Sequence, residues 1–177
     1  HDPQSPHRAA RGAAEADPVT DEYIYGEDER LVAWLEEKIA GTLRSDAVAI
    51  GRETDGALRG VAAFDTFTPT SCLIHLASDG SRRWMTREFI TRVFAYPFVQ
   101  CGFRRVTCII SATNADSLRV TRHFGWVQEG VLRKAGTEGE DIIVFGMLRE
   151  ECRFLPPLLM PVGMKAEPRY KEPATCA

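Results

Sequence analysis

The sequence predicts an α/β domain of the mixed α+β type, with a mostly antiparallel sheet that contains one parallel strand–helix–strand unit. Three observations support this fold class. Two apolar runs flank a tight turn at Asp55 and Gly56. A strand, a helix with a broad apolar face and a second strand follow over residues 72–112. Two further strands, near the end of the domain, are joined by a glycine-bearing loop over residues 135–140.

Composition places the chain among ordinary soluble globular proteins. It has 177 residues, of which 44% are hydrophobic and 27% charged, and this length suits one domain. No apolar run approaches the ~18 residues of a membrane span, and the N-terminus lacks the apolar core of a secretory signal. The five cysteines form an odd set without C-x-x-C spacing, which indicates neither a zinc site nor a disulfide framework. We therefore expect reduced thiols, a cytoplasmic protein and no metal.

Two terminal segments flank the predicted domain at 21–152. Residues 1–20 have no periodic apolar face and are expected to form a flexible N-terminal arm, either solvated or ordered by a partner. Residues 153–177 form a proline-rich C-terminal extension, whose proline density excludes a helix or a central strand. This extension is interpreted as a tail packed on its own domain or as a docking arm for a second copy or another assembly partner.

The first half of the domain is predicted to contain one helix and three strands. Glu27–Leu43 is predicted to be a helix, and its apolar face consists of Leu31, Trp34, Leu35 and Ile39. Ala47–Thr54 and Leu58–Phe67 form the hairpin around the Asp55–Gly56 turn. Cys72–Ala77 continues the antiparallel meander.

The next helix has two adjacent apolar rows at a spacing of four. These rows are Met85, Phe89 and Val93, and Ile90, Phe94 and Phe98. We expect the helix to end near Val99, because Pro97 lacks a backbone N–H and Gly102 suits a helix terminus. Arg105–Ala112 alternates with period two, so it is predicted to lie parallel to the preceding strand after a right-handed crossover.

The last part of the domain is predicted as helix, strand and strand. Thr113 or Asn114 can cap a helix that ends at Gly125. Val127–Lys134 and Asp141–Arg149 then form the final hairpin.

A basic centre in an acidic chain indicates an anionic ligand. Residues 78–122 contain eight arginines and three acidic residues, although the whole chain has a net charge of −3. The turn at the start of the long helix offers amide groups without helical acceptors and the positive end of the helix dipole. A phosphate group suits that position. A nucleic acid is a less suitable ligand, because the chain as a whole is acidic.

Several motifs resemble those of the Gcn5-related N-acetyltransferases, within them the branch that acetylates protein N-termini and ribosomal proteins. The motifs are Tyr96-Pro97-Phe98, Asn114-Ala115-Asp116-Ser117-Leu118, His123-Phe124-Gly125-Trp126 and Glu129-Gly130-Val131-Leu132-Arg133. The resemblance covers about residues 46–152. It implies a sheet splayed between its fourth and fifth strands, helices on both faces, and acetyl-coenzyme A in the gap as co-substrate.

The resemblance also implies a set of cofactor-binding residues. They are Ser81, Arg82, Arg83, Trp84, Met85 and Thr86 in the pyrophosphate loop, and Asn114 and Ser117 at the next helix. The loop departs from the family pattern, since both glycines are missing and Ser81 replaces the usual Gln or Arg. Trp84 either obstructs the phosphates or points away while Arg82 and Arg83 contact them. Thr121 stands where the family often has a tyrosine as general acid.

His75 and Glu129 are the candidate catalytic residues. His75 lies on the strand beside the expected gap and could accept a proton from an ammonium group, although a lone strand histidine is more often structural. Glu129 has the family signature as a competing structural explanation. Asp65 and Asp79 are weaker candidates for the same role. An acyl-enzyme on cysteine is the least favoured, because no Cys–His pairing is evident.

Two functions follow as hypotheses. The first is an acetyl-coenzyme A-dependent N-acetyltransferase whose acceptor is a protein N-terminus, a lysine, a small amine or a modified base. The second is a non-catalytic module of the same fold that serves in structure or interaction. Bacteriophage acetyltransferase-like proteins look similar around Tyr96-Pro97-Phe98 and Glu151-Cys152-Arg153, so a virion or host-takeover role belongs to this second hypothesis.

Overall fold

The computed structural model describes residues 20–81 and 84–155. The described residues form seven strands and three α-helices. The strands are β1 (Asp21–Tyr25), β2 (Val48–Thr54), β3 (Ala57–Asp65), β4 (Ser71–Ser78), β5 (Arg105–Ser111), β6 (Val127–Leu132) and β7 (Ile142–Leu148). The helices are α1 (Asp28–Glu36), α2 (Arg87–Ala95) and α3 (Ala115–His123).

One seven-stranded sheet, in the order β1-β2-β3-β4-β5-β7-β6, organises the fold. Every neighbouring pair is antiparallel except β4 and β5, which are parallel. The pairing of β4 with β5 covers only Ser71 to Leu73 on one strand and Arg105 to Thr107 on the other. Beyond these residues the two strands part. The predicted fold class, including the splay between the fourth and fifth strands, is confirmed.

Helices cover both faces of the sheet. On one side, here called the α1 face, Leu31 and Leu35 of α1 pack against small side chains such as Ala63 and Ala77. On the opposite side, the α2 face, α2 and α3 pack on an aromatic core that includes Phe64. Because side chains alternate along a strand, each β4 residue belongs to one of these two environments.

The first predicted hairpin is confirmed. Asp55 and Gly56 both have positive φ, 52° and 74°, as the tight turns that match strand twist require. The final hairpin is also present, with β6 two residues shorter than predicted and β7 one residue shorter at each end.

The predicted helix Glu27–Leu43 is wrong in length, because α1 ends at Glu36. Its carboxylate accepts a hydrogen bond from the Leu43 amide at 2.6 Å, and the next amide, of Arg44, donates to Asp65 at 3.2 Å. These contacts fold residues 37–44 back toward the sheet, where Leu43 is buried.

Strand β1 was not predicted, since its five residues, DEYIY, are too few to establish a period of two. Helix α2 ends at Ala95 and continues as a single π-helical turn, Tyr96–Gln100. The Cys101 amide donates to the Tyr96 carbonyl at 3.0 Å across this turn, a register that accommodates the missing N–H of Pro97. The expected helix end near Val99 falls within the turn.

The predicted terminal segments lie mostly outside the described residues, which leave out 1–19 and 156–177. Phe154 and Leu155, the last residues described, pack against the aromatic core, and the Phe154 ring stacks on Phe94 at 5.5 Å. In the described part of the chain, no helix has the length and apolar character needed to cross a membrane.

Candidate functional site

The parted strands create a gap in the middle of the sheet. The last residue of β4 that pairs with β5 is Leu73, so Ile74 to Ser78 run beside β5 without pairing to it. Their other edge is hydrogen-bonded to β3. Backbone N–H and C=O groups on the β5 side of this segment are therefore available to a ligand lying in the gap.

Asp65 and His75 meet on the α1 face where the gap begins. Asp65 lies opposite Leu73 in the β3–β4 ladder, which places it diagonal to His75 on the same face. The His75 Nε2 atom is 3.1 Å from the Asp65 Oδ1 atom. Asp65 is only 5% exposed, whereas the His75 side chain is 18% exposed. Contact with solvent at this pair is therefore through the imidazole.

Three donors hold the Asp65 carboxylate in its ionised form. Burial alone raises its pKa, but hydrogen bonds from His75, from the Arg44 amide and from the Thr66 hydroxyl outweigh burial and leave the pKa below its usual value. An ionised carboxylate can only accept hydrogen bonds, so Nε2 of His75 carries the proton of the neutral ring. Nδ1 is then the ring nitrogen with a lone pair that can take up a proton.

Glu129 lies on β6 and forms an ion pair with β5. Its Oε2 atom is 2.5 Å from an Arg105 amino nitrogen, which also donates to the Thr107 hydroxyl at 3.2 Å. The pair crosses Gly146 of β7, where a Cβ atom would collide with both side chains. The ion pair thus joins β6 to β5 across β7, and Glu129 is not paired with Asp65 or His75.

The loop from β4 to α2 begins with a tight turn fixed by Asp79. The Ser81 amide donates to Asp79 Oδ1 at 2.9 Å, and Arg59 pairs with Oδ2 at 3.1 Å. Burial raises the pKa of Asp79, and the hydrogen bonds from Ser81 and Arg59 lower it further than burial raises it. Asp79 therefore serves as the acceptor that shapes this turn. Arg82 and Arg83 lie outside the described residues.

Trp84 is directed inward, toward β3. A Cβ atom on Gly60 would lie 2.6 Å from the Trp84 ring, so the ring occupies the space that this glycine leaves. It also meets Phe89 edge-on, with ring centroids 6.4 Å apart. The Trp84 carbonyl accepts a hydrogen bond from the buried Arg52 at 3.2 Å, and Met85 packs beside it on the core. Of the two orientations considered from the sequence, the ring has the inward one, next to Gly60.

Helices α2 and α3 both begin at a side-chain cap. The Thr86 hydroxyl accepts from the Phe89 amide at 3.1 Å, and the Asn114 Oδ1 atom accepts from the Ser117 amide at 3.0 Å. Asn114 rather than Thr113 is therefore the cap of α3. Asn114 is exposed, and its side-chain NH₂ group has no partner among the described residues.

The described cysteines are poor nucleophiles. Burial is the main cause that raises the pKa of each of the four, and for Cys108 the value reaches about 12. At neutral pH such thiols are protonated and unreactive. Within residues 20–81 and 84–155 no group of three or more His, Cys, Asp or Glu side chains is placed to hold a metal ion.

Sequence reasoning ranked Asp65 below His75 and did not single out Arg52 or Gly60. The signal for Asp65 was present in the hairpin register, because the β3–β4 pairing brings it two residues from His75. Arg52 and Gly60 become significant only through Trp84, which contacts them from 32 and 24 positions away along the chain. No local pattern reports contacts of that kind.

The solved structures that match this fold include acetyltransferases. The spermidine/spermine N-acetyltransferase SpeG from Vibrio cholerae matches with a TM-score of 0.61 at 14% identity, over 75% of this chain and 94% of that one. A GNAT-family acetyltransferase from Bacillus anthracis matches with a TM-score of 0.50 at 21% identity, over 58% of this chain and 67% of that one.

No protein-family model matches the sequence, and no curated protein matches it closely enough to count as a relative. At these identities the structural matches establish the fold, which is that of the GNAT acetyltransferases.

Proposed function

We propose that this protein is an acetyl-coenzyme A-dependent N-acetyltransferase that acts on a primary amine. The observation that carries the proposal is the position of the Asp65–His75 pair, which lies where β4 and β5 begin to part. A gap with free strand edges suits an extended thioester, and a histidine beside it suits proton removal from an amine. Neither feature is required by the packing of the sheet.

The residues around the gap fit such a co-substrate. The start of α2 offers amide groups and a positive dipole end for the pyrophosphate, and the Trp84 ring is turned inward, next to Gly60. Ser81, Met85 and Thr86 belong to the same loop, and Arg82 and Arg83 are proposed to add charge there. Asn114 and Ser117 at the start of α3 are proposed to contact the other side of the ligand.

His75 is proposed to act as the general base. An acceptor ammonium would give a proton to Nδ1, while Asp65 holds the ring through Nε2 and stabilises the imidazolium that forms. The neutral amine then attacks the thioester carbonyl, a C–N bond forms and the C–S bond breaks. Of the two protons lost by nitrogen, one reaches the departing sulfur and the other reaches solvent. Unpaired amides of β4 can stabilise the negative charge on oxygen.

A single amine suits the acceptor side better than a polyamine does. A polycation such as spermidine needs free carboxylates, but the Asp65 carboxylate at the start of the gap is already paired with His75. The α1 face exposes Ile109 and Val127, at 46% and 50%. We propose an acceptor whose amine lies next to an uncharged or apolar group.

Isothermal titration of the full chain with acetyl-coenzyme A, coenzyme A and adenosine tests the proposal. We expect the first two to bind and adenosine to bind much more weakly, because the pantetheine lies along the strand edges. Release of coenzyme A is then measured with an apolar N-terminal peptide, lysine and spermidine. We expect turnover with the peptide and little with spermidine. Absence of binding at millimolar acetyl-coenzyme A would overturn the proposal.

The glycine-free loop favours a second candidate, a non-catalytic module of the same fold. Glycine normally lets backbone approach a phosphate closely, and residues 81–86 contain none. This candidate predicts assembly through the C-terminal extension. Removal of residues 156–177, which keeps Phe154 and Leu155 in the core, would dissociate an assembly module but leave the activity of an enzyme intact.

A further inference from the structure

Arg52 is a buried cation that joins three parts of the fold. It lies on β2 and is only 6% exposed. One amino nitrogen contacts both carboxylate oxygens of Asp21 on β1, at 2.7 and 2.9 Å. The other donates to the carbonyl of Trp84, in the loop between β4 and α2, at 3.2 Å.

The partner of Arg52 is itself held in place. Asp21 also accepts a hydrogen bond from the Thr54 hydroxyl at 2.6 Å, so two residues of β2 fix its carboxylate. Removal of one partner from a buried ion pair is strongly unfavourable. The orientation of Arg52 toward Trp84 is therefore set by an ion pair on the side away from the gap.

Trp84 is anchored at two points. Its ring fills the space over Gly60, and its carbonyl is fixed by Arg52. Residues 81–86 contain no glycine that could shape the backbone by itself. Trp84, between the Asp79 turn and the Thr86 cap, is consequently held by contacts with β2 and β3.

We propose that Arg52 is a positioning residue for the co-substrate, which holds the Trp84 backbone just before the start of α2, where the pyrophosphate would bind. The inference rests on the proposed function, since it assumes that this loop meets acetyl-coenzyme A. Arg52 acts through the Trp84 carbonyl and does not touch the ligand. The N-terminal strand, far from the reacting atoms along the chain, thereby contributes to affinity for the co-substrate.

Substitution of Arg52 tests this role in the full-length protein. Arg52→Met removes both contacts, and Arg52→Lys keeps the charge but cannot bridge the carboxylate and the carbonyl with a planar fork. The matched control is Arg30→Met, because Arg30 also pairs with β2, through Glu53 at 2.8 Å, but is exposed and contacts none of the described loop residues.

We expect the KM for acetyl-coenzyme A to rise roughly 10-fold in both Arg52 variants, which corresponds to about 1.4 kcal/mol. The kcat and the KM for the amine should change less than about 2-fold, because the Asp65–His75 pair is untouched. A role in stability alone would lower the amount of folded enzyme and leave KM unchanged. Arg30→Met should match the parent in all three constants.

Hydrogen exchange measured by mass spectrometry gives a readout independent of activity. Amides of residues 79–88 should exchange faster in the Arg52 variants than in the parent or in Arg30→Met. Asp21→Asn keeps a neutral acceptor, so it should show the same increase in exchange to a smaller extent. This variant replaces Arg52→Met in the test if Arg52→Met does not fold. Folded variants with unchanged exchange and unchanged KM would overturn the inference. A parent protein that does not bind acetyl-coenzyme A would overturn the proposed function instead.

Discussion

The two loops that follow the parted strands occupy equivalent positions but are held in different ways. The loop after β5 is fixed mainly from within, by the Asn114 cap and by the contact between the Ser111 and Thr113 hydroxyls at 2.8 Å, and it has one distant backbone bond, from the Ala112 amide to the Asp141 carbonyl at 2.8 Å. The loop after β4 has a local turn at Asp79 but is also fixed from outside, by Gly60 beneath the Trp84 ring and by Arg52 at the Trp84 carbonyl.

The two loops thus differ in the share of local contacts and of contacts with distant strands. Local contacts involve residues two to four positions apart, so they leave a pattern in the sequence. Contacts between a loop and a distant strand depend on the finished sheet. A change on the β4 side should therefore affect the site through several elements, whereas a change on the β5 side should remain local.

The largest expected effect comes from the proton acceptor on the β4 side. His75→Gln keeps a donor for Asp65 but removes the basic nitrogen, so kcat should fall on the order of 100-fold, the usual contribution of a general base. Steady-state kinetics with saturating acetyl-coenzyme A measures this change. Added imidazole should restore part of the lost rate in His75→Ala.

The comparison with the β5 side uses Glu129→Gln. Glu129 is paired with Arg105, so this change should lower kcat much less than His75→Gln does. Equal losses in the two variants, or a fully active His75→Gln enzyme, would show that the proton is taken by another group.

The next effect concerns the space beneath Trp84. Gly60→Ala places a Cβ atom 2.6 Å from the ring, which forces Trp84 out of its position and should cost about 1–3 kcal/mol of unfolding free energy. The matched control is Gly130→Ala on β6, where a Cβ atom meets nothing within 4 Å. Urea unfolding compares the two. Equal stability of both variants would contradict the contact between the ring and β3.

The fold could be predicted largely from the sequence, because its main signals are local. The Asp55–Gly56 turn and the alternation along β5 each report on a few neighbouring residues. The length of α1 could not be predicted in this way, since it is set by the bonds that draw Leu43 and Arg44 back to Glu36 and Asp65. Strand β1 is acidic and depends on β2 for its pairing.

The residues of the candidate site also differ in whether the sequence alone could identify them. His75 and Asn114 could be singled out from their positions on a strand and at a helix start. The partnership of Asp65 with His75 required the register of β3 against β4. The role of Arg52 required the location of Trp84, 32 residues further along the chain. Sequence patterns can therefore identify some of the side chains at the gap. The contacts that orient these side chains form only when the strands of the sheet have paired.

Acidification should weaken the β4 side through Asp65. Its pKa is lowered in the folded protein, so the pair stabilises the fold above the unfolded-state pKa of about 3.9. That stabilisation is lost as the pH falls below this value, through the folded-state pKa. Urea unfolding between neutral pH and about pH 2.5 should show the free-energy difference between the parent and Asp65→Asn shrinking toward acid. A difference that does not depend on pH would contradict the ionised state assigned to Asp65.

The smallest effects should come from the two helix caps, which are the feature that both loops share. Thr86→Ala and Asn114→Ala each remove one acceptor from a first-turn amide, at 3.1 and 3.0 Å, and each should cost about 1 kcal/mol of unfolding free energy. Asn114→Asp and Thr86→Ser keep the acceptor and serve as controls. Hydrogen exchange should then distinguish the loops, because the loop after β4 keeps its anchors at Arg52 and Gly60 when its cap is lost. The loop after β5 has mainly local contacts, so its amides should exchange faster in Asn114→Ala than those of residues 81–86 do in Thr86→Ala.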